Sequence, residues 1–120
     1  MKTDWVEKAI DKATGLFSKW RTGRVKLWDY TPTHRTATLR VQSRDVPGNL
    51  HIVCSGCAYI CGPFSWDNCE LQVEQRAEEG GGMRLFDAGA NFEIRCGVVS
   101  VEENVDPVYT PSLGVLSGKE

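Results

Sequence analysis

Four of the five cysteines lie within residues 50–73, and closely spaced thiols are the side chains of this chain best suited to chemistry. They follow the pattern Cys54-x2-Cys57-x3-Cys61-x7-Cys69. A structural zinc site needs four converging ligands and often contains one C-x2-C pair on a tight turn. One hypothesis is therefore a small metal-binding domain that uses these four cysteines. An iron–sulfur cluster would need the same four thiolates, and the spacing matches no pattern typical of one.

Strand periodicity offers a second explanation for most of these thiols. Cys54, Cys69 and Cys96 each fall on the apolar phase of an alternating segment, where a free cysteine behaves as a small buried hydrophobe. Only Cys57 and Cys61 are left unexplained, and two thiols do not make a structural zinc site. We therefore expect no cofactor, and the identity of any metal ligands stays open.

Nucleophilic catalysis would need a reactive thiol with a base in reach, here Cys57 or Cys61 with His34 or His51. No local signature supports such a pair. The chain also lacks a paired acid/base motif, and the glycines at 80–82 lack the sequence context of a phosphate-binding loop. We therefore expect a protein that does not act as an enzyme.

Aromatic residues suggest a different kind of site. Tyr59, Phe64 and Trp66 surround the Gly62-Pro63 break, which predicts an irregular loop. Rigid aromatic side chains on such a loop supply a large contact area at low entropy cost. These three residues are the predicted partner-binding site, with folding back onto the core as the alternative. The same two alternatives apply to Trp28 and Tyr30.

Length and composition predict one domain over residues 1–120, large enough to form a core without metal or disulfides. The start of the chain does not resemble a secretion signal, and no apolar run is long enough to span a membrane. We therefore predict a cytoplasmic location. In that compartment five cysteines, an odd number, indicate free thiols or metal ligands rather than disulfides.

Charge divides unevenly along the chain, although the net charge is only −2. Residues 1–26 carry seven basic and three acidic side chains, and the remainder carries seven basic and thirteen acidic ones. The acidic body argues against nucleic acid as a partner. The basic N-terminus and the acidic body are most simply complementary parts of one fold.

The N-terminal segment has the clearest periodicity and predicts an amphipathic helix over about residues 4–22. Asp4 and Glu7 have the spacing of a capping box, and Gly23 is placed to close the helix. The apolar arc of this helix is formed by Trp5, Val6, Ala9, Ile10, Ala13, Leu16, Phe17 and Trp20. We expect the arc to lie on the β core. A partner surface along Val6, Ile10, Ala13, Phe17 and Trp20, or peripheral membrane attachment, are the alternatives.

From residue 24 to about 103 the period changes to two and predicts about six half-buried strands separated by turn sequences. The predicted class is mainly β (α+β), a small antiparallel β-barrel or sandwich with an N-terminal amphipathic helix. The apolar positions of the six strands are 25–27, 37–41, 50–54, 69–73, 83–85 and 92–98.

Two segments resemble each other at an offset of 42 residues, with Asp, Asn, Ile and Cys in common: 45–54 and 87–96. They predict two hairpins of similar local geometry. Residues 104–120 lose the alternation and read as a tail. Together these features predict a binding or assembly module that acts through protein–protein contacts, including self-association as a homo-oligomer. We do not expect a membrane surface as its partner.

Overall fold

The computed structural model describes residues 4–76 and 81–104. The predicted tail, apart from Asn104, lies outside these residues. The described elements are α1 (Asp4–Lys19), β1 (Arg24–Thr31), β2 (Thr36–Gln42), β3 (Leu50–Ser55), β4 (Tyr59–Cys61), β5 (Ser65–Trp66), β6 (Gln72–Gln75), β7 (Met83–Asp87), β8 (Phe92–Cys96) and β9 (Val98–Glu103).

The strands form two antiparallel sheets. The five-stranded sheet has the order β5-β1-β2-β3-β9, and the four-stranded sheet has the order β4-β8-β7-β6. Alternate side chains of both sheets enter one buried apolar cluster, which also receives one face of α1. The predicted α+β class, a small antiparallel β-sandwich with an N-terminal helix, is confirmed.

Strand boundaries differ from the prediction in three places. The alternation over 92–98 is divided at Gly97, so that β8 and β9 belong to different sheets. Cys69 and Leu71 are buried but precede β6, which begins at Gln72. β4 and β5 have only three and two residues, too few for a period of two to be visible in the sequence.

Helix α1 ends at Lys19, three residues before the predicted end. The left-handed residue after the helix is Thr22, with φ of 69°, so the prediction that Gly23 fills this role was wrong. Gly23 is needed for a different reason. A Cβ at this position would lie 2.7 Å from the carbonyl oxygen of Gln42. The side chain of Asp4 lies outside the described structure, and the capping box stays a prediction.

The apolar face of α1 lies on the core, as expected, except at Trp5, which was predicted to belong to this face but is 59% exposed. Val6, Ala13, Phe17 and Trp20 are buried, and Ile10 is half-buried. The helix contacts β6 and β9, the edge strands of the two sheets, and closes that side of the sandwich. The face needed for the alternative of a partner or membrane surface is therefore already covered. Within the described residues, no helix has the length and apolar character needed to cross a membrane.

Ion pairs join the basic N-terminal segment to the acidic body. Four pairs contribute: Lys12 to Glu102 at 3.8 Å, Lys19 to Glu103 at 2.6 Å, Arg21 to Glu70 at 3.3 Å and Arg24 to Asp67 at 3.7 Å. This pairing supports the interpretation that the two charge groups complement each other within one fold. Exposed pairs of this kind contribute about 0–1 kcal/mol each, so they orient the helix more than they stabilise it.

Gly15 lies on the exposed face of α1, and a Cβ there would meet nothing within 4 Å. Because alanine loses less backbone entropy than glycine in a helix, Gly15→Ala is expected to raise the free energy of unfolding by about 0.5–1 kcal/mol. Urea titration followed by circular dichroism measures the change. The matched control, Gly23→Ala, should destabilise because of its clash with Gln42. Destabilisation by Gly15→Ala would contradict the placement of residue 15.

The two similar segments do not share one turn geometry, and that prediction was wrong. The β2–β3 connection places Gly48 at a positive φ of 91°, whereas the β7–β8 connection contains a short 3-10 helix followed by Asn91 at φ of 55°. What the segments share is the strand that follows. Cys54 in β3 and Cys96 in β8 both point inward, one from each sheet.

Candidate functional site

The predicted binding segment, residues 59–66, crosses from one sheet to the other, and we call it the aromatic crossover. Its first part is β4, the edge strand of the four-stranded sheet, and its last part is β5, the edge strand of the five-stranded sheet. These edges lie on the side of the sandwich opposite α1, which contacts β6 and β9. Helix and crossover therefore occupy the two open sides between the sheets.

Close packing fixes the middle of the crossover. Gly62 has φ of 132°, and a Cβ there would lie 2.8 Å from Cα of Phe92. Two residues later, the carbonyl oxygen of Phe64 accepts a hydrogen bond from the backbone N–H of Leu27 at 2.7 Å. The side chain of Phe64 is nevertheless 78% exposed, the highest value among the large exposed hydrophobic residues. The backbone at Phe64 is therefore fixed by its neighbours, while the apolar ring of Phe64 is exposed to solvent.

Trp66, by contrast, has structural contacts. Its Nε1 donates a hydrogen bond to the buried carboxylate of Asp87 at 2.7 Å, and its ring packs on Phe92 with centroids 4.5 Å apart. The same Asp87 oxygen accepts from the backbone N–H of Glu70 at 2.8 Å. Half-buried Trp66 therefore holds the crossover against the four-stranded sheet, and its polar edge is already occupied.

Tyr59 lies at the exposed start of the crossover, with 42% of its surface accessible. The guanidinium carbon of Arg95, its partner in β8, lies 4.4 Å from the ring centroid. A hydrogen bond with the Cys61 side chain raises the pKa of the Tyr59 hydroxyl. Glu93 accepts a hydrogen bond from Arg95 at 2.8 Å, and this contact lowers the pKa of the Glu93 carboxyl. The arginine is thus held under the ring.

The strand beside β5 adds two exposed aromatic residues, Trp28 and Tyr30 of β1. The register between β1 and β2 shifts between Leu27 and Asp29, which is the point where Phe64 bonds to β1. The guanidinium of Arg40 lies 5.1 Å from the Trp28 ring centroid. Arg95 belongs to this surface, whereas Arg40 is only 6% exposed and lies against Trp28 from the buried side. Sequence reasoning missed both arginines, because their aromatic partners are set by cross-strand register.

The four cysteines of the proposed metal site do not converge. Cys54, Cys57 and Cys69 are buried, and Cys61 is exposed beside Tyr59 on β4. The Cys69 thiol donates to the carbonyl oxygen of Trp20 at 3.6 Å, at the end of the helix. Among the described residues, no group of three or more His, Cys, Asp or Glu side chains is arranged to hold a metal ion. The structure therefore offers the metal hypothesis no site.

Among the described residues, no hydrogen bond joins His34 or His51 to Cys57 or Cys61, the residues considered above for nucleophilic catalysis. Burial lowers the pKa of His51, as does the charge of Arg40, whose Nη1 lies 3.4 Å from Nδ1. Nδ1 of His34 lies 3.3 Å from the hydroxyl oxygen of its neighbour Thr33. Burial also raises the pKa of Cys57, to about 11, which disfavours a thiolate nucleophile.

A polar cleft of about 930 Å³ lies between the end of α1 and the turn after β2. Its lining includes Arg24, Arg44, Asp45 and Asp67, and it contains neither cysteine nor histidine. Arg24 and Asp67 already form an ion pair across it. The described lining of the cleft therefore includes no residue of the aromatic crossover, although Asp67 directly follows it.

Comparison of the chain with protein-family models, with curated proteins and with solved structures found no match. Function is therefore inferred from the geometry of the molecule alone.

Proposed function

We propose that this chain is a non-enzymatic binding or assembly module whose protein–protein contacts are made through the aromatic crossover. The observation that carries the proposal is the 78% exposure of Phe64 on a backbone that is fixed at both Gly62 and Phe64. A large apolar ring in water is unfavourable, and burying it against a partner recovers about 25 cal/mol for each Å² of apolar surface.

The chemistry around the ring favours a protein partner. Aromatic residues and arginine are enriched in protein interfaces, and here two arginines lie against exposed rings, Arg95 at Tyr59 and Arg40 at Trp28. Because these side chains are already positioned, little conformational entropy is lost when a partner covers them. Phe64 and Tyr59 are the contact residues of the proposal, and Trp66 is their support.

A second copy of the chain is the first partner to test. Sedimentation velocity over a wide concentration range should show association that Phe64→Ala weakens by about tenfold or more, since a central interface aromatic contributes about 2 kcal/mol or more. Trp5→Ala is the matched control, because Trp5 is 59% exposed and lies on α1, on the opposite side of the sandwich. An equal loss in both variants would contradict the assignment of the interface.

A different protein partner is tested by photo-crosslinking in the cells that express the chain. Benzoylphenylalanine placed at position 64 should give a discrete adduct on irradiation, and the same group placed at position 5 should not. Tyr59→Ala is expected to reduce the yield at position 64. A chain that stays monomeric at all concentrations and gives no adduct specific to position 64 would refute the proposal.

A further inference from the structure

Three of the buried thiols lie close together where the two sheets meet. Cys54 ends the inward face of β3, Cys96 ends β8, and Cys57 follows β3 by two residues. The exposed fraction of each is 4% or less. The Cys54 and Cys96 thiols shift each other's pKa, and Cys57 is near enough to both for their charges to interact. The Cys96 thiol donates a hydrogen bond to the carbonyl oxygen of Val98 at 3.6 Å.

Backbone contacts hold this junction together independently of the thiols. The N–H of Gly97, directly after Cys96, donates to the carbonyl oxygen of Ser55, directly after Cys54, at 2.8 Å. Within the five-stranded sheet, Cys54 lies opposite Val99 of the neighbouring strand β9. The two cysteines are therefore positioned by neighbours on both sides, and their side chains enter the same core from different sheets.

The remaining two cysteines have other surroundings. The Cys69 thiol contacts the carbonyl oxygen of Trp20, and Cys61 lies beside Tyr59 at the surface. Cys54 and Cys96 each directly precede one residue of the Ser55–Gly97 hydrogen bond, and the 42-residue similarity between the segments places them at equivalent positions.

We propose that Cys54 and Cys96 form a redox-active pair that a small peroxide converts into a disulfide linking the two sheets. The hydrogen bond between Gly97 and Ser55 brings the two strand ends together, and a disulfide forms when the two sulfurs approach to the bonded distance of about 2 Å. Hydrogen peroxide is small enough to reach a nearly buried thiol when the strand ends open locally. The proposal does not depend on the aromatic crossover.

The chemistry balances in two steps. The Cys96 thiolate attacks one oxygen of the peroxide, the O–O bond breaks, and the departing hydroxide takes a proton to give water and a sulfenic acid. The Cys54 sulfur then attacks the Cys96 sulfur, the S–O bond breaks, and a second water leaves with the Cys54 proton. In total the two thiols lose two electrons and two protons, and one peroxide is reduced to two waters.

The surroundings assign the roles within the pair. The neighbouring Cys54 thiol lowers the pKa of Cys96, and the positive charge of Arg76 acts in the same direction, although burial opposes both. The neighbouring Cys96 thiol, together with burial, raises the pKa of Cys54 well above its usual value. Cys96 is therefore the thiol that reacts first with the oxidant, and Cys54 is the resolving thiol.

The test uses the full chain with Cys61→Ser, which removes the exposed thiol. Reduced protein is treated with hydrogen peroxide, remaining thiols are alkylated, and the unreduced protein is digested for mass spectrometry. A peptide pair joined through Cys54 and Cys96, released by reductant, is the expected result. Because the crosslink closes a long loop, the melting temperature should rise by about 10 °C on oxidation.

Two further variants provide controls. Cys96→Ser should abolish both the linked peptide and the thermal shift, whereas Cys69→Ser should keep both, since Cys69 lies at the end of the helix. Oxidation of Cys96 to sulfinic acid without any link, or a link from Cys96 to Cys57, would overturn the proposal. If Cys96→Ser does not fold, peptide mapping of the chain that retains both cysteines still decides between these outcomes.

Discussion

Trp20→Ala is expected to lower the free energy of unfolding by about 3–5 kcal/mol, a large part of the total stability of a small domain. The indole ring is 1% exposed at the end of α1, and its Nε1 donates to Glu103 of β9 at 2.8 Å. Truncation would leave a cavity between the helix and both sheets and would remove this hydrogen bond. Equilibrium urea unfolding, followed by far-UV circular dichroism, measures the loss.

Two substitutions separate the contributions to this effect. Trp20→Phe keeps most of the buried ring but removes the N–H donor, so it should cost less than alanine, about 1–3 kcal/mol. Trp5→Ala changes the same residue type on the same helix at an exposed position, and it should change stability by less than about 0.5 kcal/mol. Equal effects of Trp20→Ala and Trp5→Ala would show that α1 does not pack through the face described above.

Gly62→Ala is expected to destabilise by about 2–4 kcal/mol, because backbone strain and steric overlap act together. The φ of 132° is unfavourable for any residue with a side chain, and the added Cβ would lie 2.8 Å from Cα of Phe92 and 2.9 Å from the carbonyl oxygen of Asn91. These contacts are with backbone atoms, which cannot move aside as a flexible side chain does. Thermal and urea unfolding measure the change.

Gly81→Ala is the control for this substitution. Gly81 also has a positive φ, 62°, but a Cβ there would meet nothing within 4 Å. Gly81→Ala should therefore lower the free energy of unfolding by only about 1–2 kcal/mol, because alanine must adopt the left-handed conformation there. If Gly62→Ala costs no more than Gly81→Ala, the close approach of the crossover to β8 is not present in solution.

Local sequence was sufficient to predict the helix and the fold class. Trp20 and Phe17 recur at the spacing of one helical face, and Leu39 and Ile52 belong to segments that alternate cleanly. Both patterns are visible in the sequence because each face of the helix or strand contacts a single environment, either the core or solvent. The turn residues beside Phe64 left two alternatives, an exposed ring or a ring folded back onto the core, and the ring is exposed.

Contacts between distant residues could not be predicted in the same way. Trp66 was predicted to contact a partner, but its hydrogen bond to Asp87 gives it a structural role. Nothing in the sequence near residue 66 indicates that Asp87 is its hydrogen-bond acceptor. The approach of Cys54 to Cys96 depends on how two sheets face each other. The division at Gly97 was hidden because alternation continues on both sides of it. Periodicity records which side of a strand is buried, but not what covers it.

The repeated passage of the chain between the sheets has a consequence for the order of folding. The five-stranded sheet receives β1 to β3, then β5, and finally β9, whose register with β3 joins Leu50 to Glu103 and Ser55 to Val98. Between these additions the chain builds the other sheet, so neither sheet can be completed as a local unit. Long loops must close before the last pairings form, which is the topology of a slow folder. Helix α1 packs partly on β9. The helix, which is the first described element, therefore makes its final contacts only after β9, the last described strand, has paired.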